Sequence, residues 1–151
     1  DVKPEPVFRA YTGIGGERGW LYMDWAWALR GWMDKVIGGV GLRRGRRHPD
    51  EIHVGESLDF WRVEAIEKNR RMLLRAEMKL PGKAWLEFKS ESPSKEDRQN
   101  EKTLFTVTAY FAPRGLFGFL YWYAMWPFHK FIFDGLTRGI DSRARVLDHV
   151  Y

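Results

Sequence analysis

Hydrophobic and polar positions repeat with two different periods along this chain, and the switch between them divides it. From Trp20 to Ile37 there is no proline and Gly31 is the only glycine. Apolar residues there (Leu21, Tyr22, Met23, Trp25, Trp27, Leu29, Trp32) run nearly all the way round a helical projection. The stretch predicts a helix covered on more than one side and stopped by Gly38-Gly39. Ahead of it, Val7–Ile14 is β-branched and aromatic in part and ends in a glycine cluster, which predicts a first strand. After the connector Gly38–Pro49 the period becomes two. Leu58–Ile66, Arg70–Leu80, Ala84–Glu91 and Thr103–Phe111 predict four successive strands. Glu67-Lys68-Asn69 and Pro81-Gly82 are the turns between the first three, and Ser92–Lys102 is a longer polar loop. The connections are too short for crossover helices, so the sheet is antiparallel.

Alternation assigns the faces. Met72, Leu74, Ala76 and Met78 share one side of their strand, with Arg75, Glu77 and Lys79 on the other. Phe105, Val107, Ala109 and Phe111 oppose Thr106 and Thr108. One side of the sheet is apolar and needs a cover. The C-terminal stretch supplies it: nine aromatics lie between Leu116 and Phe133, and helical spacing continues to Leu147. Pro127 either kinks one long helix or opens a second. The uncharged run Gly115–Phe128 is shorter than the roughly 20 residues a spanning helix needs, so a buried or interfacial helix is expected and no membrane span.

Composition narrows the chemistry. The 151 residues suit one domain and contain no cysteine, which excludes disulfides, thiolate metal sites and cysteine nucleophiles. Lack of cysteine and of a signal peptide fits a cytoplasmic location. A start at Asp1 instead of Met is expected of a piece of a longer chain. The net charge of +5 permits an anionic partner, yet is modest for nucleic acid, which is not expected. Aromatics are 16% of the chain, enough to require a packed core, a lined cavity or an interface.

Candidate chemistry is sparse. Gly13–Gly19 resembles a dinucleotide loop with Asp34 as ribose acid, but no parallel strand follows the helix, so a turn feeding the helix is the better reading. Arg43, Arg44, Arg46 and Arg47 sit among glycines and form an anion candidate, against an exposed basic connector. Asp59 shares a strand face with Trp61, Val63 and Ala65, so its carboxylate either points at an apolar interior or ends the strand in water. Arg62, Glu64, Arg75, Glu77, Glu87 and Lys89 pair across the outer face. The four histidines have no ligand spacing, so no metal is expected. His129, inside the aromatic helix, is either a proton shuttle or a satisfied helix-face residue.

The order of strand, helix, antiparallel strands and long C-terminal helix resembles the helix-grip fold of the START-like (SRPBCC) superfamily, which includes polyketide cyclase-like proteins. More narrowly, the chain resembles an uncharacterised bacterial family of unknown function. The motifs are Gly15–Trp20 with WAWALRG at 25–31, GGVGLRRGRRHP at 38–49, LDFWRVE at 58–64, RAEMKLPGKAWLEF at 75–88, PRGLFGFLYWY at 113–123 and PFHKFIF at 127–133. The resemblance implies a single α+β domain over 1–151, its curved antiparallel sheet wrapped around a long C-terminal helix. It also implies a frequent upstream NAD(P)-binding Rossmann domain and brings no catalytic residues with it. No cofactor is expected for this chain alone.

Three functions follow. The first is binding of a small hydrophobic or amphipathic molecule between sheet and helix. Its walls would be Trp61, Met72, Leu74, Met78, Phe105, Val107, Phe111, Trp122, Trp126 and Phe133, with Asp59, His129 and an arginine from 43–47 as polar groups. A solidly packed core would use the same apolar residues. The second is a substrate-holding domain beside a Rossmann partner, with Asp59 or His129 in acid–base work. The third is an interaction module, a homodimer or a docking partner.

Overall fold

The computed structural model describes residues 2–41, 46–92 and 103–150. Among them, three α-helices, a short 3-10 turn (Gly16–Arg18) and five strands follow in the order α1 (Pro4–Thr12), the 3-10 turn, α2 (Asp24–Val36), β1 (Ser57–Leu58), β2 (Trp61–Glu67), β3 (Arg71–Ala76), β4 (Gly82–Glu91), β5 (Leu104–Pro113) and α3 (Gly115–Val150). The strands form one antiparallel sheet in chain order, as the short connections require.

The predicted first strand is instead helix α1. Val7, Ala10 and Tyr11 are its buried line, continued by Ile14 just past its end, and their spacing of three and four is helical. Prolines occupy the first turn, where a missing N–H costs nothing. Helix α2 begins at Asp24, four residues later than expected. Leu21 and Met23 have left-handed backbone (φ 64° and 49°), and the Asp24 carboxylate accepts the Trp20 backbone N–H at 2.6 Å. It ends before Gly38-Gly39, as expected. It is not covered all round: Trp25, Leu29 and Trp32 are exposed.

The predicted strand Leu58–Ile66 is broken by a tight turn at Asp59-Phe60, where Asp59 has φ 53°. Its alternation breaks again at a bulge after Val63, so Ile66, not Ala65, continues the inner face opposite Met72. Strand β3 stops at Ala76, which leaves Met78 beyond it. Asn69 (φ 59°) closes the β2–β3 turn. Most of the predicted loop Ser92–Lys102 lies outside the described residues.

The inner face has rows that the register defines: Ile66–Met72–Phe88–Val107 and Val63–Leu74–Leu86–Ala109. On the outer face, Arg62 pairs with Glu77 at 2.6 Å and Arg71 with Glu87, while Glu64 and Glu87 accept from Trp85 Nε1 and Tyr110 Oη. Two helices share the inner face. Tyr11 of α1 stacks on Phe88 and Phe105, each at 5.6 Å between ring centres. Leu136, Ile140 and Ala144 of α3 are buried in the same core, and α1 packs on α3. The first half of α3 lies along β5, with Phe111 stacked on Trp122. The helix runs unbroken through Pro127. The Tyr123 carbonyl thereby loses its intrahelical donor, and Tyr123 is exposed, where water can replace it.

Candidate functional site

One inner-face row differs from the others. Trp61 pairs with Ala76, and Ala84 pairs with Phe111. The β3–β4 register, carried one step beyond Arg75–Trp85, brings Ala76 level with Ala84. The row therefore reads Trp61, Ala76, Ala84, Phe111: two large rings separated by two methyl groups. At about 4.8 Å per strand the rings stand roughly 14 Å apart. The alanines are half-buried, so this end of the sheet is a shallow apolar trough, while the neighbouring Leu74–Leu86 row is fully buried.

Its two sides follow from the turns. At one side, Trp20 stacks on Trp27 at 4.6 Å, and Phe60 lies between Trp27 (5.8 Å) and Trp61 (5.7 Å). Asp59 Oδ2 anchors this cluster. It accepts Trp20 Nε1–H at 2.8 Å and the Gly16 N–H at 3.2 Å. Gly15 packs against Leu58 and Asp59 with φ 79°, so a Cβ there would strike Leu58. At the other side, rings succeed one another along α3: Phe111–Trp122 (5.5 Å), Trp122–His129 (5.9 Å), His129–Phe133 (5.5 Å).

Three ring nitrogens on these two sides, Trp27 Nε1, Trp61 Nε1 and His129 Nδ1, are buried with no hydrogen-bond partner among the described residues. Buried polar groups are ordinarily paired, and an orphan one costs about 1–3 kcal/mol. Burial also pushes the His129 pKa below its usual 6.5, so the imidazole is neutral near pH 7.

The expected site residues separate into groups. Trp61, Met72 and Leu74 are buried core positions; Met78, Phe105, Val107, Phe111, Trp122 and Phe133 are half-buried; Trp126 is exposed. Asp59 is buried, yet it lies in the turn between β1 and β2 and not on a strand face with Trp61, and its Oδ2 holds the glycine turn. Asp34, considered as a ribose acid, is also buried. Its oxygens accept the backbone N–H groups of Lys79 (2.6 Å) and Gly41 (2.9 Å), tying the end of α2 to the end of β3. His129 is neither exposed nor satisfied at Nδ1. Arg43 and Arg44 lie outside the described residues. Arg46 donates to the carbonyls of Ile14 (2.9 Å) and His48 (2.6 Å), and Arg47 is exposed. Sequence reasoning missed Trp20, Trp27, Ala76 and Ala84. An alanine pair at facing positions of a hairpin, between strands otherwise carrying large residues, was the available signal.

Two clefts lie elsewhere. One of about 290 Å³ separates Leu21-Tyr22 from Gly135 and Arg138 of α3; the other, about 240 Å³, is bordered by Val2, Phe105 and Asp141. No His, Asp or Glu group suited to a metal occurs among the described residues.

An antiparallel sheet with one apolar face, packed against α1 and α3, defines an α+β domain. The chain belongs to the family described as a protein of unknown function (DUF2867), whose model matches residues 1–136. No curated protein and no solved structure matches it.

Proposed function

We propose that the domain binds a small amphipathic molecule in the trough. Its apolar part would lie on Ala76 and Ala84 between Trp61 and the Phe111–Trp122 stack. Its oxygen atoms would accept from the indole N–H groups of Trp27 and Trp61, and a hydroxyl would meet His129 Nδ1. The observation that carries this reading is the pair of half-buried alanines between the Trp61 and Phe111 rings, and the three orphan ring nitrogens support it. The START-like resemblance agrees with it, since that superfamily encloses ligands between sheet and C-terminal helix. Placing the domain in that superfamily is part of the proposal.

Native mass spectrometry of the protein purified from cells tests it. The expected result is a reproducible small-molecule adduct, lost in Ala84→Leu, which fills the floor while the sheet stays apolar. A wild-type spectrum of bare protein, or an adduct equally present in Ala84→Leu, would overturn the proposal.

A further inference from the structure

An apolar surface lies outside the trough. From Leu116 to Phe128, α3 carries no charged residue, and its exposed arc covers about 200° of the circumference at 3.6 residues per turn. Phe117 is 80% exposed, Leu116 72%, Tyr123 67% and Phe128 62%. Helix α2 presents a second stripe, Trp25, Leu29, Trp32 and Val36, at helical spacing and about half to two-thirds exposed.

Helix α2 runs beside the first half of α3, its start at the middle of α3 and its end near the start of α3. Tyr22, just before α2, contacts Phe131 at 6.0 Å and packs on Gly135. At the other end of α2, Lys79 Nζ donates to the Ile37 carbonyl at 3.0 Å. Two residues on, the Pro81 carbonyl accepts the Arg114 N–H at 2.8 Å, where α3 begins. The helices thus flank the trough, running in opposite directions.

The charge around this face is mostly positive, against the two exposed carboxylates Asp24 and Asp134. No Asp or Glu occurs between Thr103 and Phe133, while Arg114 and Lys130 do. Along α2 the cations are Arg30 and Lys35; Asp34 is buried and Asp24 is held by the Trp20 N–H. Lys79 and Lys83 flank the turn between the helix ends. Two copies joined through this face would bring like charges together. An aromatic-rich apolar face inside a cationic rim complements the headgroup region of an anionic bilayer, where Trp and Tyr rings partition and basic residues meet lipid phosphates. No helix among the described residues is long and apolar enough to cross a membrane.

We propose that the exposed faces of α2 and α3 dock this domain on the surface of an anionic phospholipid membrane, with α3 lying in the interface. The proposal goes beyond ligand binding and stands without it.

Vesicle co-sedimentation tests it. The protein is expected to pellet with phosphatidylcholine–phosphatidylglycerol vesicles and at least tenfold less with phosphatidylcholine alone, with binding weakened as salt rises. Phe117→Ser with Phe128→Ser should lower the bound fraction about tenfold at unchanged circular dichroism. Arg114→Glu with Lys130→Glu should abolish the preference for anionic lipid. Ala84→Leu should bind vesicles like the wild type, which separates this proposal from the trough. Protein left in the supernatant with both vesicle types overturns it. So does a stable dimer by ultracentrifugation that the two serine substitutions dissolve and that ignores vesicles, since a second copy then covers the face.

Discussion

Single buried groups make this molecule sensitive to pH at both extremes. The Tyr11 phenol lies between Phe88 and Phe105, with Ser90 Oγ at 3.3 Å, and burial pushes its pKa up to about 12 from 10.0. Between those values the unfolded chain loses the proton and the folded chain keeps it, so stability falls as pH rises from 10. Tyr11→Phe is expected to show a shallower loss of urea midpoint between pH 9 and 11 than the wild type, at a cost near neutrality of about 1 kcal/mol. His129 acts at the other extreme. Its folded pKa is below 6.5, so stability is complete above that pH and declines as pH falls below it. His129→Phe is expected to flatten this decline; equal acid slopes in variant and wild type would contradict the burial argument. Asp59, in a left-handed turn, holds one buried and one half-buried donor. Asp59→Ala strands both and is expected to cost about 3 kcal/mol, measured as a shift in denaturation midpoint.

At the scale of elements, strand-to-strand alternation was the legible part of the sequence. It gave the inner faces of β3 and β5 and the outer residues Glu87 and Lys89 of β4, because those strands are continuous and half-buried. It failed at β2, where a turn at Asp59 and a bulge after Val63 each shift the phase by local backbone geometry. It failed at α1 because Val7, Phe8 and Tyr11 are good strand formers, and only the line Val7–Ala10–Tyr11–Ile14 shows the helical period. Of the site, the Phe111–Trp122–His129–Phe133 side was legible from aromatic content. Trp20, Trp27 and the alanine floor were not, because their meeting depends on register and on the turn at Asp59-Phe60. Packing of α3 depends on small residues that propensity disfavours. Gly135 leaves space that the Tyr22 ring fills. Gly135→Ala gains up to about 1 kcal/mol of helix propensity yet must displace that ring. The expected outcome is net destabilisation with greater protease sensitivity at 20–23, and a stabilised variant would refute the close contact.

For the whole molecule, the decisive contact is between its ends. Helix α1 packs on α3, and Ile140 is buried in the core they share with the sheet. Ile140→Ala is expected to cost about 2–5 kcal/mol in urea unfolding, as a core deletion does. This arrangement also orders events in time. During synthesis the sheet can pair and receive Tyr11 once β5 has emerged, while the part of α1 that packs on α3 waits until more than a hundred further residues have been made. Contacts of such sequence separation close late because loop-closure entropy must first be overcome. The nine-residue helix α1 and the last three turns of α3 are therefore expected to form one folding unit that matures last. In refolding experiments, substitutions at Val7 and Ile140 are expected to accelerate unfolding while leaving the folding rate nearly unchanged, whereas Leu86 sets the pace of folding itself.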